Sequence, residues 1–125
     1  MPFVEPGEAL DRPFVDLDAL AAEMGPPPWR SVLVGTGGMR VVLLRLPPGY
    51  ATVEHHHPRA EEIFLVLRGT AAFAIGDESE REVGPGCFAF APRGVRHAIR
   101  VPGDEPLLLL ASVAPNEDAR DETVE

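Results

Sequence analysis

Three histidines and one glutamate lie in this chain at a spacing that suits a shared metal ion. His55 and His57 are two residues apart on a stretch predicted to be extended, so both side chains leave the same face. Glu62 follows a Pro-Arg turn, and His97 ends the segment GCFAFAPRGVRH. Neutral imidazoles together with one carboxylate bind divalent transition metals and leave coordination positions open. The sequence therefore predicts a metal site at these four residues.

Two neighbouring glutamates compete for the role of the carboxylate ligand. A carboxylate on an otherwise apolar strand is costly unless it is paired or bound to a cation. We expect Glu62 to face the metal and Glu61 to face outward. Glu62 is also the candidate catalytic residue, as a base that leaves the metal to accept a proton. His56 points away from the other two histidines and is expected to be exposed, with a subunit contact as the alternative.

The elements that must position these residues are short strands separated by turns rich in glycine and proline. Many short strands at this spacing predict an all-β sandwich or barrel. The predicted strands are Ser31–Val34, Met39–Leu46, Tyr50–His57, Glu61–Leu67, Thr70–Ile75, Glu80–Val83, Cys87–Ala91, His97–Val101 and Pro106–Val113.

The chain divides into three predicted parts. Residues 1–29 form an acidic N-terminal arm, which is irregular at first and then includes a short helix from Asp16 to Met24. Asp16 is placed to cap that helix, and Gly25 and the prolines after it end the helix. Residues 30–114 form the β-barrel, and residues 115–125 form an acidic C-terminal tail.

Several predicted strands are apolar on both faces. Ile63–Leu67 and Leu107–Leu110 have no polar side, which in an antiparallel sheet means that the outer face is covered as well. A helix, the N-terminal arm or a second subunit must provide this cover. The pattern favours a homodimer, to which the arm adds further cover.

The composition limits the classes of partner. The 125-residue chain has a net charge of −9, and most of the excess acid lies in the two ends, so nucleic acid and anionic membranes are not expected partners. There is no lysine, which excludes Schiff-base chemistry. Cys87 is the single cysteine, and no signal peptide or membrane span is recognisable, so a cytoplasmic protein is expected.

These residues resemble two motifs of the cupin superfamily, in its small single-domain metal-binding form. The first motif comprises Gly49, His55, His57, Glu62 and Gly69, and the second comprises Gly86, Pro92, Gly94 and His97. The resemblance implies a double-stranded β-helix, or jelly-roll barrel, with the metal held inside by His55, His57, Glu62 and His97. Cys87 stands where the family often has aspartate, and Val101 stands where the second motif usually ends in asparagine.

The resemblance implies a metal-dependent protein that acts on a small organic molecule. Mn, Fe, Co, Ni, Cu and Zn all accept this set of ligands. A redox metal would support dioxygenase-like oxidoreductase chemistry, whereas a non-redox metal would support isomerisation, decarboxylation or hydrolysis. The alternative is a non-catalytic module that binds a small molecule or stores a metal.

Other side chains are expected to have structural or surface roles rather than roles at the metal. Phe64, Phe73, Phe88 and Phe90 are expected to lie mostly in the core, with some of them beside the metal. Tyr50 is expected to pack at the mouth of the barrel. Four arginines that could bind an anionic substrate are expected at the surface, namely Arg45, Arg93, Arg96 and Arg100.

Overall fold

The computed structural model describes residues 13–116 and 122–123, which form one helix and ten strands. The helix α1 spans Leu17–Met24, and no helix within these ranges is long and apolar enough to cross a membrane. The strands are β1 Trp29–Gly35, β2 Arg40–Leu46, β3 His55–His56, β4 Glu61–Arg68, β5 Ala71–Ile75, β6 Arg81–Val83, β7 Phe88–Ala91, β8 His97–Arg100, β9 Leu107–Ala114 and β10 Glu122–Thr123.

The strands form two antiparallel five-stranded sheets. The first sheet has the order β1-β2-β9-β4-β7, and the second has the order β10-β3-β8-β5-β6. The inner core lies between the sheets and includes Phe64 and Val66 from β4, Phe73 from β5 and Ile99 from β8. The predicted all-β jelly roll with a short N-terminal helix is confirmed.

Helix α1 covers part of the outer face of the first sheet. The Asp16 carboxylate accepts a hydrogen bond from the backbone N–H of Ala19 at 3.0 Å, and Gly25 ends the helix with a φ of 81°. Ala21 of the helix packs with a cluster that contains Leu43 and Leu108, both fully buried. The predicted cover by an N-terminal element is thus present, whereas the irregular arm predicted before residue 13 lies outside the described residues.

The outer face of the first sheet stays exposed at its β4–β7 edge. Ile63 pairs with Phe90 across these two strands, and the side chains of Ile63, Phe88 and Phe90 are 40%, 58% and 44% exposed. The expectation that Phe88 and Phe90 belong to the core is therefore wrong, because the alternation along β7 gives the inward positions to Ala89 and Ala91. The homodimer stays a prediction, and this patch is where a second copy would bury apolar surface.

Two regions near the site differ from the sequence-based strands. The predicted strand Tyr50–His57 reduces to a single bridge at Ala51 and the two residues of β3. Between them, Thr52 pairs with Ile99 through the hydroxyl of its side chain, which accepts from the Ile99 N–H at 2.9 Å. In the predicted C-terminal tail, the backbone of Glu122–Thr123 pairs with His55–His56.

We predict that Leu108→Ala destabilises the protein by about 2–5 kcal/mol, because it leaves a cavity between α1 and the first sheet. The free energy of unfolding from urea denaturation measures this change. The matched control is Val53→Ala, since Val53 is 66% exposed and its loss should change stability by less than about 0.5 kcal/mol. Equal effects of the two substitutions would show that α1 does not cover Leu108.

Candidate metal centre

The four predicted ligands come from both sheets. His55 on β3 is the direct cross-strand partner of His97 on β8, and His57 follows β3 immediately. Glu62 is the second residue of β4 in the opposite sheet, on the inward face that it shares with Phe64. His57, Glu62 and His97 are buried, and His55 is partly buried. The structure thus brings all four residues together inside the barrel.

The donor atoms converge on one point. Glu62 Oε1 lies 2.9 Å from His57 Nε2 and 3.1 Å from His97 Nε2. One nitrogen or oxygen atom from each of the four residues lies within 4.8 Å of the corresponding atoms of the others. In an octahedral site with bonds of about 2.1 Å, adjacent ligand atoms are about 3.0 Å apart and opposite ligand atoms are about 4.2 Å apart. The cluster fits a metal ion of this size.

Two of the imidazoles are oriented by backbone carbonyl groups. His55 Nδ1 lies 2.8 Å from the carbonyl oxygen of Val53, and His97 Nδ1 lies 3.1 Å from that of Val95. A carbonyl oxygen can only accept, so Nδ1 carries the hydrogen in both rings and donates it. The Nε2 atoms of His55 and His97 are then the nitrogens available to a metal, and the backbone carbonyls fix the orientation of the two rings.

The carboxyl group of Glu62 is held ready to act as an anionic ligand. Burial raises its pKa, but hydrogen bonds to His57 and His97 and the charges of these histidines lower it more, so the pKa lies below its ordinary value. The carboxylate form is therefore favoured in spite of burial. A metal ion bound at the cluster would take the place of these hydrogen bonds, because histidine nitrogens must be deprotonated to bind it.

The two residues that compete with the ligands lie elsewhere. Glu61 is exposed, as expected from the alternation along β4. His56 is partly buried rather than exposed and is not a member of the four-residue cluster. The candidate ligands therefore occupy alternate positions along the chain, which face inward, and the residues between them face away from the site.

A cavity of about 110 Å³ adjoins the cluster and contains residues that the sequence analysis missed. Its lining comprises His55, His57, Glu62, Arg30, Arg40, Val42, Leu44, Ala111 and Val113. Arg30 and Arg40 were overlooked because charged residues on strands were assigned to the surface. The spacing of the residues could have revealed Arg40. It is two and four residues before Val42 and Leu44, so on a strand it faces inward with them.

The arginines that the sequence analysis did consider lie away from this cavity. Arg93, Arg96 and Arg100 are exposed, as expected, and Arg96 and Arg100 pair with Asp77 and Glu80 at 3.2 and 2.6 Å. Arg45 is partly buried on the outer face of the first sheet, opposite Trp29. None of these four side chains lines the cavity beside the metal ligands.

A larger groove of about 980 Å³ lies between the outer strands β6 and β7 of the two sheets. Its lining includes Phe73, Ile75, Val83, Phe88 and Phe90, and none of the four candidate ligands. The converging donor atoms adjoin the smaller cavity and not this groove.

The Cupin_2 family model, which describes a cupin domain, matches residues 42–113. The chain belongs to this family. The matched segment of the cupin contains all four candidate ligands, together with the strands β3, β4 and β8 that position them.

One curated relative is informative about chemistry, namely the dimethylsulfoniopropionate lyase DddQ of Ruegeria pomeroyi. The cupin is 36% identical to it over 84 residues, which cover 62% of this chain and 41% of DddQ. The chain thus spans about two fifths of that relative. The crystal structure of DddQ matches with a TM-score of 0.68 at 28% identity, over 76% of this chain and 50% of that one.

Two solved structures match the cupin over nearly their whole length. One is an uncharacterised protein of Klebsiella pneumoniae with a double-stranded β-helix domain, with a TM-score of 0.78 and 26% identity over 92% of this chain and 99% of that one. The other is TT1209 of Thermus thermophilus, with a TM-score of 0.72 and 32% identity over 82% of this chain and 96% of that one. They confirm the predicted fold.

We predict that His57→Ala weakens metal binding by more than about 100-fold, since it removes a buried donor and leaves Glu62 without one of its two histidine partners. The matched control is His56→Ala, which removes the neighbouring imidazole from outside the cluster. Elemental mass spectrometry on protein purified without a nickel column and dialysed against metal-free buffer measures the metal per chain. Equal metal content in the two variants would contradict the assignment.

Proposed function

We propose that this cupin is a metal-dependent enzyme that acts on a small organic molecule. One divalent transition metal, from among Mn, Fe, Co, Ni, Cu and Zn, would be held by His55, His57, Glu62 and His97. The observation that carries this proposal is the convergence of three imidazoles and one carboxylate within 4.8 Å beside a cavity. Open sites of this composition are typical of catalytic rather than purely structural metals.

The chemistry divides between the metal and the residues of the chain. A bound divalent metal supplies Lewis acidity, which lowers the pKa of a substrate group beside it. Glu62 is the residue that we assign to accept a proton, because it is the carboxylate that lines the cavity. Val42, Leu44, Ala111 and Val113 form an apolar wall, which offers contacts to the carbon atoms of a substrate.

Proton-transfer chemistry is better supported than oxygen-dependent chemistry. The relative DddQ is a lyase by its name, and a lyase reaction commonly begins when a base removes a proton from carbon. The electron pair of that C–H bond then forms a double bond as the leaving group departs. Isomerisation and decarboxylation also proceed through proton transfers near a bound cation. We therefore place this cupin among lyases, isomerases or decarboxylases ahead of dioxygenases.

We predict that the metal-loaded full chain converts at least one compound of a test panel under anaerobic conditions. The panel comprises dimethylsulfoniopropionate and small hydroxy- and keto-carboxylates. Proton NMR of the products measures the conversion. Glu62→Gln should lower the rate by about 100-fold or more, because it removes both the proposed base and one of the proposed metal ligands. The control is the exposed neighbour, Glu61→Gln, which should retain the rate of the unmodified protein.

Three other outcomes would overturn this assignment. Oxygen consumption that accompanies turnover would place the protein among dioxygenases. Thermal stabilisation by a compound that is never converted would indicate a non-catalytic binding module. Unchanged turnover in Glu62→Gln would show that the carboxylate is not the base.

A further inference from the structure

Two arginines lie on the inner face of the first sheet, where the neighbouring inward side chains are apolar. Arg40 pairs with Val113, and Val113 pairs with Glu62, so the three residues form one row across β2, β9 and β4. Adjacent strands are about 4.8 Å apart, which puts Arg40 and Glu62 about 10 Å apart at the backbone. Arg30 pairs with Leu44, farther along the same inner face. Both guanidinium-bearing side chains line the cavity beside the metal ligands.

Arg40 has no anionic partner within the part of the chain that the structure describes. Its Nε atom is buried and makes no hydrogen bond with any described residue. Surface arginines of this acidic protein do form ion pairs, as Arg68 does with Asp18 and Arg100 with Glu80. A partly buried cation is costly unless an anion or hydrogen bonds compensate it. The buried Nε–H of Arg40 is thus available to donate a hydrogen bond to an external anion in the cavity.

The charge of the cavity favours an anionic ligand. Arg40 contributes one positive charge to the lining and Glu62 contributes one negative charge. A divalent cation at the four candidate ligands would give the cavity a net positive charge. In a small cavity with an apolar wall, such a charge is screened much less than at the surface.

The size of the cavity limits the ligand. Its volume of about 110 Å³ is small beside the roughly 300–1,000 Å³ of typical ligand pockets. A ligand of about four to six non-hydrogen atoms fits this space. Val42, Leu44, Ala111 and Val113 offer contacts to its carbon atoms.

We propose that Arg40 binds the carboxylate group of a small carboxylic acid whose other polar group faces the metal ligands. Arginine presents a planar fork of donors that matches a carboxylate. Arg30, at the far end of the apolar wall, limits the length of the ligand. The substrate class of the proposed enzyme is then small carboxylates that carry a second oxygen function. This inference rests on the proposed function for its metal, but Arg40 can be tested separately.

The test compares glycolate with its neutral amide, glycolamide, which has the same size and hydroxyl group. Isothermal titration calorimetry on the metal-loaded full chain measures both affinities. Arg40→Gln should weaken glycolate binding by at least about tenfold and change glycolamide binding by less than about twofold. Arg40→Lys keeps the charge and should lose less than Arg40→Gln. The matched control is Arg45→Gln, on the outer face of the same strand, which should bind both compounds like the unmodified protein.

Each alternative outcome has a distinct meaning. Metal content, measured in the same samples, separates failure of the metal site from failure of the arginine site. If the metal-loaded protein and its Arg40→Gln variant bind glycolate equally well, the inference about Arg40 is overturned. The proposed metal site would not be affected by that result. Metal-loaded protein that binds no glycolate at about 10 mM, a limit that corresponds to a binding free energy of about −3 kcal/mol, would overturn the inference about Arg40 as well.

Discussion

The arrangement of the site depends on the contacts that the buried carboxylate of Glu62 makes with histidines across the barrel. Glu62 comes from the first sheet and the histidines come from the second, and Glu62 Oε1 contacts both His57 and His97. A buried carboxylate without such partners would cost several kcal/mol. The two sheets are therefore joined by polar contacts on one side of the inner core and by apolar packing elsewhere. The backbone carbonyls of Val53 and Val95 complete the arrangement, because they fix two of the imidazole rings.

The inward-facing strand positions that form the candidate metal centre also line the cavity beside it. Arg40, Val113 and Glu62 occupy one cross-strand row, so a single register positions the anion-binding group, the apolar wall and the carboxylate. That register depends on β9, in which five of the eight residues are buried, because the inner core covers one face and α1 covers part of the other. The outer cover is thus part of the site's support, although it lies far from the chemistry.

Much of this arrangement follows from the sequence, for identifiable reasons. The four ligands and the jelly roll are recognisable because motif residues alternate on strands and glycines mark the turns. The sequence does not mark Arg30 and Arg40 as inward-facing, because a charged residue on a strand usually lies on the exposed face. Phe88 and Phe90 were misplaced because hydrophobicity alone does not give parity, whereas the small Ala89 and Ala91 take the inward positions. The carbonyl groups that orient the histidines have no sequence signal, since any residue supplies one.

The most direct test of the metal centre is a crystal structure of the metal-loaded protein with anomalous diffraction recorded at the absorption edge of the metal. We expect one strong anomalous peak per chain, about 2.0–2.2 Å from the Nε2 atoms of His55, His57 and His97 and from a carboxylate oxygen of Glu62. A peak at another place, or none at these residues in protein that was soaked with metal, would contradict the assignment of these four ligands.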